Sequence, residues 1–432
     1  MKQPPVPSYY ADTATPYETY TPLQGRQETR IAIVGGGYAG LNTALGLAER
    51  GVRDVVLLER ERIGFGASGR NGGFVFAGYS LGEQSLLDQL GEAHARALFG
   101  LTTAAVGRIR ARVAQYAINC DAVDEGVIWA NWFRDPGVLR QRQQLLAERF
   151  GVFWDWLPQE ELRERVLSDR YFDGLYERNA LHLHPLNYAI GLAHAAAGQG
   201  VCIHEASEVR QLKREGSRWL LSTPHGELLA EQVVLACGGY LARLRKPIDR
   251  AVLPIATYVM ATEPLGDRLA ECLGTRAAVY DTRFAFDYYR GLPDTRLLWG
   301  GRISIRNRSP QAVQRLLRRD MARVFPQLGE AKIDYAWSGL MSYARHQMPQ
   351  LGRGEGDDAG LWWAQAFGGH GLAPTCAAGE LLAAAIAEGD EGWKQFAGYG
   401  LANTHKPFGL VAAQLNYWWQ QARDGFKTRL EG

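Results

Sequence analysis

The 432-residue sequence predicts an α/β fold with two parts, a parallel sheet covered by helices and an α+β part built on an antiparallel sheet. Two observations predict this fold. Residues 31–60 consist of an apolar run, a helical stretch and a second apolar run, which is the pattern of a βαβ unit. Residues 253–262, 285–289 and 297–305 are β-prone runs separated by turn residues, as in an antiparallel sheet.

The βαβ unit carries a G-x-G-x-x-G pattern at Gly35, Gly37 and Gly40. Gly35 allows a tight turn, Gly37 lets the backbone approach a pyrophosphate, and Gly40 lets helix and strand pack closely. Glu59 follows the second apolar run, where a carboxylate can accept hydrogen bonds from ribose hydroxyls. The unit is therefore predicted to be Rossmann-like and to bind a dinucleotide. The alternative is a glycine-rich turn in another α/β protein.

Three further glycine-rich segments favour FAD over NAD. The loop GFGASGRNGG at 64–73 can lay backbone N–H groups along a pyrophosphate and a planar ring. A second segment, at 237–239, follows an apolar strand. A third, at 368–371, precedes a helix whose N-terminus can stabilise negative charge on a reduced flavin. The residues predicted to bind FAD are Gly35, Gly37, Tyr38, Ala39, Gly40, Glu59, Arg60, Gly66, Ala67, Ser68, Arg70, Asn71, Gly72, Gly73, Val209, Cys237, Gly238, Gly239, Gly369, His370, Gly371 and Leu372.

The composition excludes several classes of protein. A net charge of +2 gives no basis for binding nucleic acid. The five cysteines stand apart without a C-x-x-C pair, so neither a metal site nor a disulfide framework is predicted. The sequence shows no leader pattern and no run of about 18 apolar residues, so we expect a cytoplasmic protein without a transmembrane segment.

Several segments together resemble the D-amino-acid-oxidase-like superfamily of FAD-dependent oxidoreductases. They are GGGYAG with LLER and IGFGASGRNGG, HLHPLNYAIGLA at 182–193, KIDYAWSGL with MPQLGR at 332–353, and GGHGLAPTCAAGELLAA at 368–384. Within the superfamily, the chain most resembles the group of γ-glutamylputrescine oxidoreductases and L-pipecolate oxidases. The resemblance implies a D-amino-acid-oxidase-like fold, bound FAD, and oxidation of a C–N bond to an imine by hydride transfer to flavin N5.

The two parts are expected to be discontinuous along the chain. The FAD-binding domain is predicted from 1–80, 186–248 and 346–410, the substrate domain from 81–185 and 249–345, and a C-terminal packing helix from 411–432. Helical periodicity occurs at 82–116, and Ser309 followed by Pro310 is predicted to start a helix. Tyr417, Trp418 and Trp419 are expected to pack the final helix onto the body.

The substrate pocket is predicted from polar and aromatic residues in otherwise apolar strands or at their ends. No catalytic residue is assigned among them. Because a buried arginine needs a partner, Arg283 and Arg345 are predicted to hold a substrate carboxylate. The alternative is an ion pair with Asp281, Asp287 or Asp334. The pocket candidates are Tyr258, Arg283, Tyr288, Trp299, Arg302, Tyr343, Arg345, His346 and His370.

The resemblance implies smaller or apolar residues at positions 283 and 345 in an enzyme of the γ-glutamylputrescine type. The arginines at these two positions therefore favour a small secondary amine or amino acid of the pipecolate type as substrate. γ-Glutamylputrescine or a related polyamine conjugate is the alternative, and an NAD(P)-binding oxidoreductase or regulator is the alternative of another class. Oxygen-using relatives of the sarcosine-oxidase type carry a lysine on a strand facing the flavin, but residues 297–300 contain none. The electron acceptor is therefore predicted to be either O2 or a quinone or carrier protein.

Overall fold

The structure is a computed structural model that describes residues 7–431 of the chain. Its helices, numbered along the chain, are α1 (Tyr9–Asp12), α2 (Tyr38–Glu49), α3 (Glu83–Leu90), α4 (Glu92–Gln115), α5 (Gly137–Leu145), α6 (Gln159–Arg165), α7 (Pro185–Gly198), α8 (Lys246–Arg250), α9 (Pro310–Val324), α10 (Leu372–Glu388) and α11 (Phe408–Glu431). Its strands are β1 (Gly25–Val34), β2 (Val55–Leu58), β3 (Phe74–Val75), β4 (Val127–Ala130), β5 (Asp155–Leu157), β6 (Gly174–Glu177), β7 (Leu181–His182), β8 (Cys202–His204), β9 (Gln211–Glu215), β10 (Arg218–Ser222), β11 (Gly226–Leu235), β12 (Leu253–Thr262), β13 (Ala278–Asp281), β14 (Asp287–Gly291), β15 (Leu297–Ser304), β16 (Ile333–Tyr343), β17 (Gln350–Arg353) and β18 (Leu361–Gln365).

The first sheet is mainly parallel and has the order β17–β18–β11–β1–β2–β8, with the hairpin β9–β10 attached to β11. β1 runs parallel to β2 and to β11, so β1, α2 and β2 form the predicted βαβ unit. Alternate residues of β1 face opposite layers. Ile31 and Ile33 join the core that contains α2, α7 and α10, whereas Ala32 and Val34 join the cluster around Trp219. Burial on both faces explains the uninterrupted apolar run.

The second sheet has the order β16–β12–β15–β14–β13–β4–β6–β5, and its neighbours are antiparallel except for β4 and β13. α9 packs against this sheet through Val313 and Leu317. The side chain of Ser309 caps α9 by accepting a hydrogen bond from the backbone N–H of Ala312, as the sequence predicts. The combination of a parallel and an antiparallel sheet is therefore confirmed.

The two sheets take their strands from alternating stretches of the chain. Strands of the parallel sheet lie within 25–58, 202–235 and 350–365, and those of the antiparallel sheet lie within 127–177 and 253–343. The domain boundaries given above stay a prediction. The helical stretch at 82–116 is confirmed as two helices, because Gly91, with φ of 76°, separates α3 from α4.

The final helix, α11, is longer than predicted and faces the body differently. Tyr417 is buried, but Trp418 and Trp419 are 57% and 69% exposed, so the prediction that they pack on the body is wrong. The helix instead turns polar side chains such as Gln414 inward, where they bond to hydroxyl and backbone groups at the end of β15. Among residues 7–431, no helix is both long enough and apolar enough to cross a membrane.

Candidate active site

A cavity of about 1300 Å³ is lined by residues of both sheets. Every residue predicted to bind FAD lines it except Gly40 and Gly73. A Cβ atom on Gly40 would lie 2.0 Å from the carbonyl oxygen of Gly35, so glycine at this position allows helix and strand to pack closely. Gly73 has φ of 82°, and its Cβ would lie 2.1 Å from the carbonyl oxygen of Leu183. Gly73 therefore allows two backbone segments to pack closely beside the cavity.

The first turn of α2 fits a pyrophosphate. Gly37 precedes the helix without a side-chain cap, and the backbone N–H of Tyr38 donates to Oγ of Ser68 at 3.0 Å. A Cβ atom on Gly37 would lie 3.0 Å from the same oxygen. All three residues line the cavity, so backbone N–H groups and the positive end of the helix dipole meet there.

Glu59 lies at the end of β2 and fits the adenosine ribose. Its Oε2 accepts the N–H of Gly36 at 2.7 Å, and its Oε1 accepts the N–H of Glu61 at 2.9 Å. Burial raises the pKa of the Glu59 carboxyl, although these two donors oppose the shift. A carboxylate can accept about four hydrogen bonds, so acceptor sites are left for ribose hydroxyls.

The segment before α10 forms another wall of the cavity. Gly371 precedes this 17-residue helix without a side-chain cap, so the helix N-terminus keeps free N–H groups. Nε2 of His370 lies 3.3 Å from the carbonyl oxygen of Phe76. Burial lowers the pKa of His370 to about 4, so the imidazole is neutral at neutral pH. This wall fits the electron-rich edge of a flavin ring, and the flavin-binding role of these residues stays a prediction.

The structure brings six of the nine substrate-pocket candidates to the cavity and leaves Tyr258, Trp299 and His346 away from it. Tyr258 and Trp299 belong to the cluster beneath α9, where Trp299 stacks on Tyr289 at 4.5 Å. Successive side chains of a strand point to opposite faces, so these residues face away from the cavity. His346 packs against Tyr399 instead. The six that line the cavity are Arg283, Tyr288, Arg302, Tyr343, Arg345 and His370.

The arginines of the cavity wall differ in their partners. Arg283 donates to Asp281 through Nε at 2.9 Å and also pairs with Asp287. These contacts are the ion pairs that the sequence offers as the alternative to a substrate carboxylate. Arg302 pairs with Asp320 at 2.7 Å. Arg345 is exposed, and among the described residues it has no ion pair. The assignment of Arg283 as a carboxylate clamp is therefore corrected, since its guanidinium is already neutralised by buried carboxylates.

Sequence reasoning missed an aromatic wall of the cavity. The rings of Phe76 and Tyr280 stack with centroids 5.6 Å apart, and Tyr280 and Trp129 stack at 5.8 Å. Phe286 meets Tyr280 edge-on at 6.1 Å, and Phe76 contacts the His370 ring at 4.1 Å. All five residues line the cavity. The four aromatic residues other than His370 come from distant parts of the chain, which explains why no local pattern revealed them.

An ion pair lies beside this wall. Nη2 of Arg142 donates to Oε1 of Glu83 at 2.7 Å, and the guanidinium lies 4.4 Å from the centre of the Trp129 ring. Both charged residues line the cavity. The buried Nε of Arg142 has no hydrogen-bond partner within residues 7–431. Arg142 has one carboxylate partner, whereas Arg283 has two.

Glu177, near this pair, is expected to make stability depend on pH. Burial raises its pKa to about 8, although Arg142 and the backbone N–H of Ala77 oppose the shift. The folded protein then holds a proton that the unfolded chain releases above about pH 4.3, so the free energy of unfolding falls as pH rises from about 4.3 to 8. Urea unfolding of Glu177→Gln should lose this dependence, whereas the exposed control Glu160→Gln should keep it. Equal pH dependence in wild type and Glu177→Gln would refute the assignment.

Glycine turns, a carboxylate at the end of β2 and a second free helix N-terminus meet at one cavity, and together they define a dinucleotide-dependent enzyme of the flavoprotein class. The chain belongs to the FAD dependent oxidoreductase family designated DAO, which matches residues 30–385. It is an FAD-dependent oxidoreductase, so the predicted superfamily, fold class and cofactor are confirmed and the NAD(P) alternative is set aside.

Relatives support this assignment over most of the chain. The chain is 36% identical over 404 residues to γ-glutamylputrescine oxidoreductase of Escherichia coli strain K12, covering 93% of this chain and 92% of the relative. It is 33% identical over 409 residues to the probable oxidoreductase OrdL of Haemophilus influenzae, covering 91% of each. The crystal structure of glycine oxidase from Geobacillus kaustophilus aligns with a TM-score of 0.70 and 26% identity, over 87% of this chain and 98% of that one.

Proposed function

We propose that the protein oxidises the C–N bond of an elongated amine that ends in an amino-acid head group, of the γ-glutamylputrescine type. The chemistry that FAD supplies is acceptance of a hydride from carbon attached to nitrogen, which leaves an imine for hydrolysis. The observation that carries the proposal is the Arg142–Glu83 pair at the aromatic wall of the cavity.

The pair matches the two charges of an amino-acid head group. Arg142 would bind the α-carboxylate through its planar guanidinium, which suits carboxylates, and Glu83 would bind the α-ammonium. Trp129 and Tyr280 line the cavity beside the pair, so their rings would give the alkyl chain apolar surface and attract its alkylammonium group. The relative that is 36% identical bears the name of a γ-glutamylputrescine oxidoreductase, which supports a substrate of this shape.

The aromatic wall extends from this pair to His370. A Cβ atom on Gly78 would lie 3.6 Å from Oε1 of Glu83 and 3.7 Å from Cε1 of His370, so both side chains lie beside Gly78. The neutral imidazole adds no positive charge beside the reacting amine. Phe76 contacts the His370 ring and helps to exclude water from the place where a carbon–hydrogen bond would break.

A small amino acid of the pipecolate type is the second candidate. The exposed guanidinium of Arg345, which lines the cavity, favours it because this arginine has no carboxylate partner among the described residues. Arg283 gives it no support, because Asp281 and Asp287 already hold that side chain.

Anaerobic reduction of the bound flavin tests the two candidates. The absorbance near ~450 nm should bleach with γ-glutamylputrescine at low concentration and only weakly with putrescine, L-pipecolate, sarcosine or L-proline. Preferential bleaching by L-pipecolate would favour the second candidate. Failure of every compound would show that the proposed substrate class is wrong.

The variant Arg142→Met tests the head-group site. Methionine keeps much of the length of the side chain but removes its charge, so KM for γ-glutamylputrescine should rise by about ten- to a hundredfold, the loss of one charge-assisted hydrogen bond. Kinetics with putrescine, which has no head group, should change little. An equal loss with both amines would mean that Arg142 acts only through the fold.

The acceptor and the compartment complete the proposal. We propose O2 or a quinone or carrier protein as the electron acceptor. Measuring the rate at which the reduced flavin is reoxidised in air, and the rate with a soluble quinone in its place, distinguishes these acceptors. All five cysteines are free, which supports a cytoplasmic location because disulfides are rare in that compartment.

A further inference from the structure

Helix α11 is amphipathic, but its polar side faces the body and its apolar side faces outward, which is the opposite of an ordinary surface helix. Gln414 accepts hydrogen bonds from Oγ of Ser304 at 3.0 Å and from the N–H of Ile305 at 3.1 Å. Asp424 accepts the N–H of Phe284 at 2.8 Å, and farther along Thr428 Oγ1 accepts the indole N–H of Trp132 at 3.1 Å. These bonds fix which side of the helix faces outward.

The outward side is an apolar stripe. Of the twelve exposed large hydrophobic residues among those described, seven lie on this helix. With 3.6 residues per turn they occupy an arc of about 120°. The stripe consists of Phe408, Val411, Leu415, Trp418, Trp419, Phe426 and Leu430.

Positive charges flank the stripe, and the negative charges of the helix are turned away from it. Arg423 and Arg429 are exposed and have no ion pair within 7–431, while Lys427 is partly buried. Asp424 is buried and bonded to the body, and Glu431 accepts the N–H of Arg134 at 2.8 Å. The exposed charge beside the stripe is therefore positive.

We propose that α11 is a membrane-docking helix that lays its apolar stripe into the interface of an anionic lipid bilayer. Tryptophan, phenylalanine and leucine on one side with lysine and arginine beside them are typical of helices that lie in a bilayer surface. The cations would meet anionic headgroups, and the protein body would stay on the water side, held by the polar face of the helix.

A second copy of the chain fits this surface less well. An antiparallel pair of helices centred on Trp418 and Trp419 would place Arg423 and Arg429 of each copy opposite uncharged residues in the first half of its partner. No exposed carboxylate of the described helix would neutralise them, whereas an anionic surface would. Charge complementarity therefore favours the bilayer.

The docked helix would also set the orientation of the enzyme. Phe408, Ala412 and Asn416 line the wall of the cavity, so the N-terminal half of α11 borders both the cavity and the outward stripe. Docking would hold this side of the cavity near the bilayer surface. The inference depends only on α11 and does not rest on the proposed substrate.

Flotation of the flavin-loaded full chain with vesicles tests the inference. The enzyme should float with phosphatidylcholine vesicles that contain phosphatidylglycerol, and less with phosphatidylcholine alone. The variant Trp419→Gln/Phe426→Gln should lose at least about tenfold in affinity, since two large apolar groups no longer enter the interface. The variant Arg423→Gln should lose about fivefold, and only with anionic vesicles.

Phe153→Gln is the matched control, because Phe153 is 81% exposed and lies outside α11. It should float like wild type, and all variants should keep their flavin. Two results would overturn the proposal. One is the absence of flotation with both lipids. The other is a concentration-dependent doubling of mass that Trp419→Gln/Phe426→Gln abolishes, which would assign the stripe to a second copy.

Discussion

The variant Gly37→Val is expected to fold and to be purified with less than about a tenth of its chains carrying FAD. Gly37 has φ of −87° and ψ of 179°, an extended conformation that valine also adopts, so the backbone itself does not require glycine. The added side chain would lie toward Ser68 and into the cavity edge where the first turn of α2 meets the pyrophosphate. The loss should therefore fall on the cofactor rather than on folding.

Flavin released by heat, counted per chain, measures this effect. Gly198→Val is the matched control, because Gly198 is exposed near the end of α7 and a Cβ there meets nothing within 4 Å. Gly37→Ala should keep part of its FAD, since the atom nearest its Cβ is the rotatable Oγ of Ser68, at 3.0 Å. Full flavination of Gly37→Val would show that the pyrophosphate does not pass this turn.

The variant Arg283→Ala is expected to lower the free energy of unfolding by about 3–5 kcal/mol, the usual cost of leaving buried charges without a partner. Arg283 lies between Asp281 and Asp287, which are 1% and 0% exposed. Burial raises the pKa of Asp287 even with the arginine present. Without Arg283, the two carboxyl groups either stay charged in the protein interior without a partner or take up protons. Both outcomes destabilise the fold at neutral pH.

Urea unfolding at neutral pH measures the loss, with Arg178→Ala as the surface control. Arg178 pairs with Asp155 but is 76% exposed, so its loss should cost less than about 1 kcal/mol. Adding Asp281→Asn and Asp287→Asn to Arg283→Ala should restore much of the stability, because no unpaired charge is left. Unchanged stability with a raised KM for a carboxylated amine would instead restore Arg283 as a substrate clamp.

The nucleotide half of the site could be predicted because its signals are local. Gly35, Gly37 and Glu59 lie in one βαβ unit, where strand, turn and helix follow each other within thirty residues. The helix after His370 begins at Leu372, as the glycine turn indicates. Such sites depend on backbone N–H groups and close approach, which glycine spacing reveals directly.

The substrate half could not be predicted in the same way, because it is assembled from distant segments. Glu83 begins α3 and Arg142 lies in α5, and no spacing relates them. The sequence predicts that a buried Arg283 needs a partner, but the choice between Asp281 and a substrate depends on side-chain geometry. The sequence predicts that Trp418 packs on the body, because aromatic residues at the end of a chain usually do. The polar bonds of α11 decide otherwise.

A crystal structure of the holoenzyme with a bound γ-glutamyl amine tests the central claim most directly. The flavin ring is expected beside residues 369–371, with the carboxylate of the head group on Arg142 and the alkyl chain against Tyr280. A head group bound to Arg345, or a flavin ring away from the segment before α10, would contradict this account.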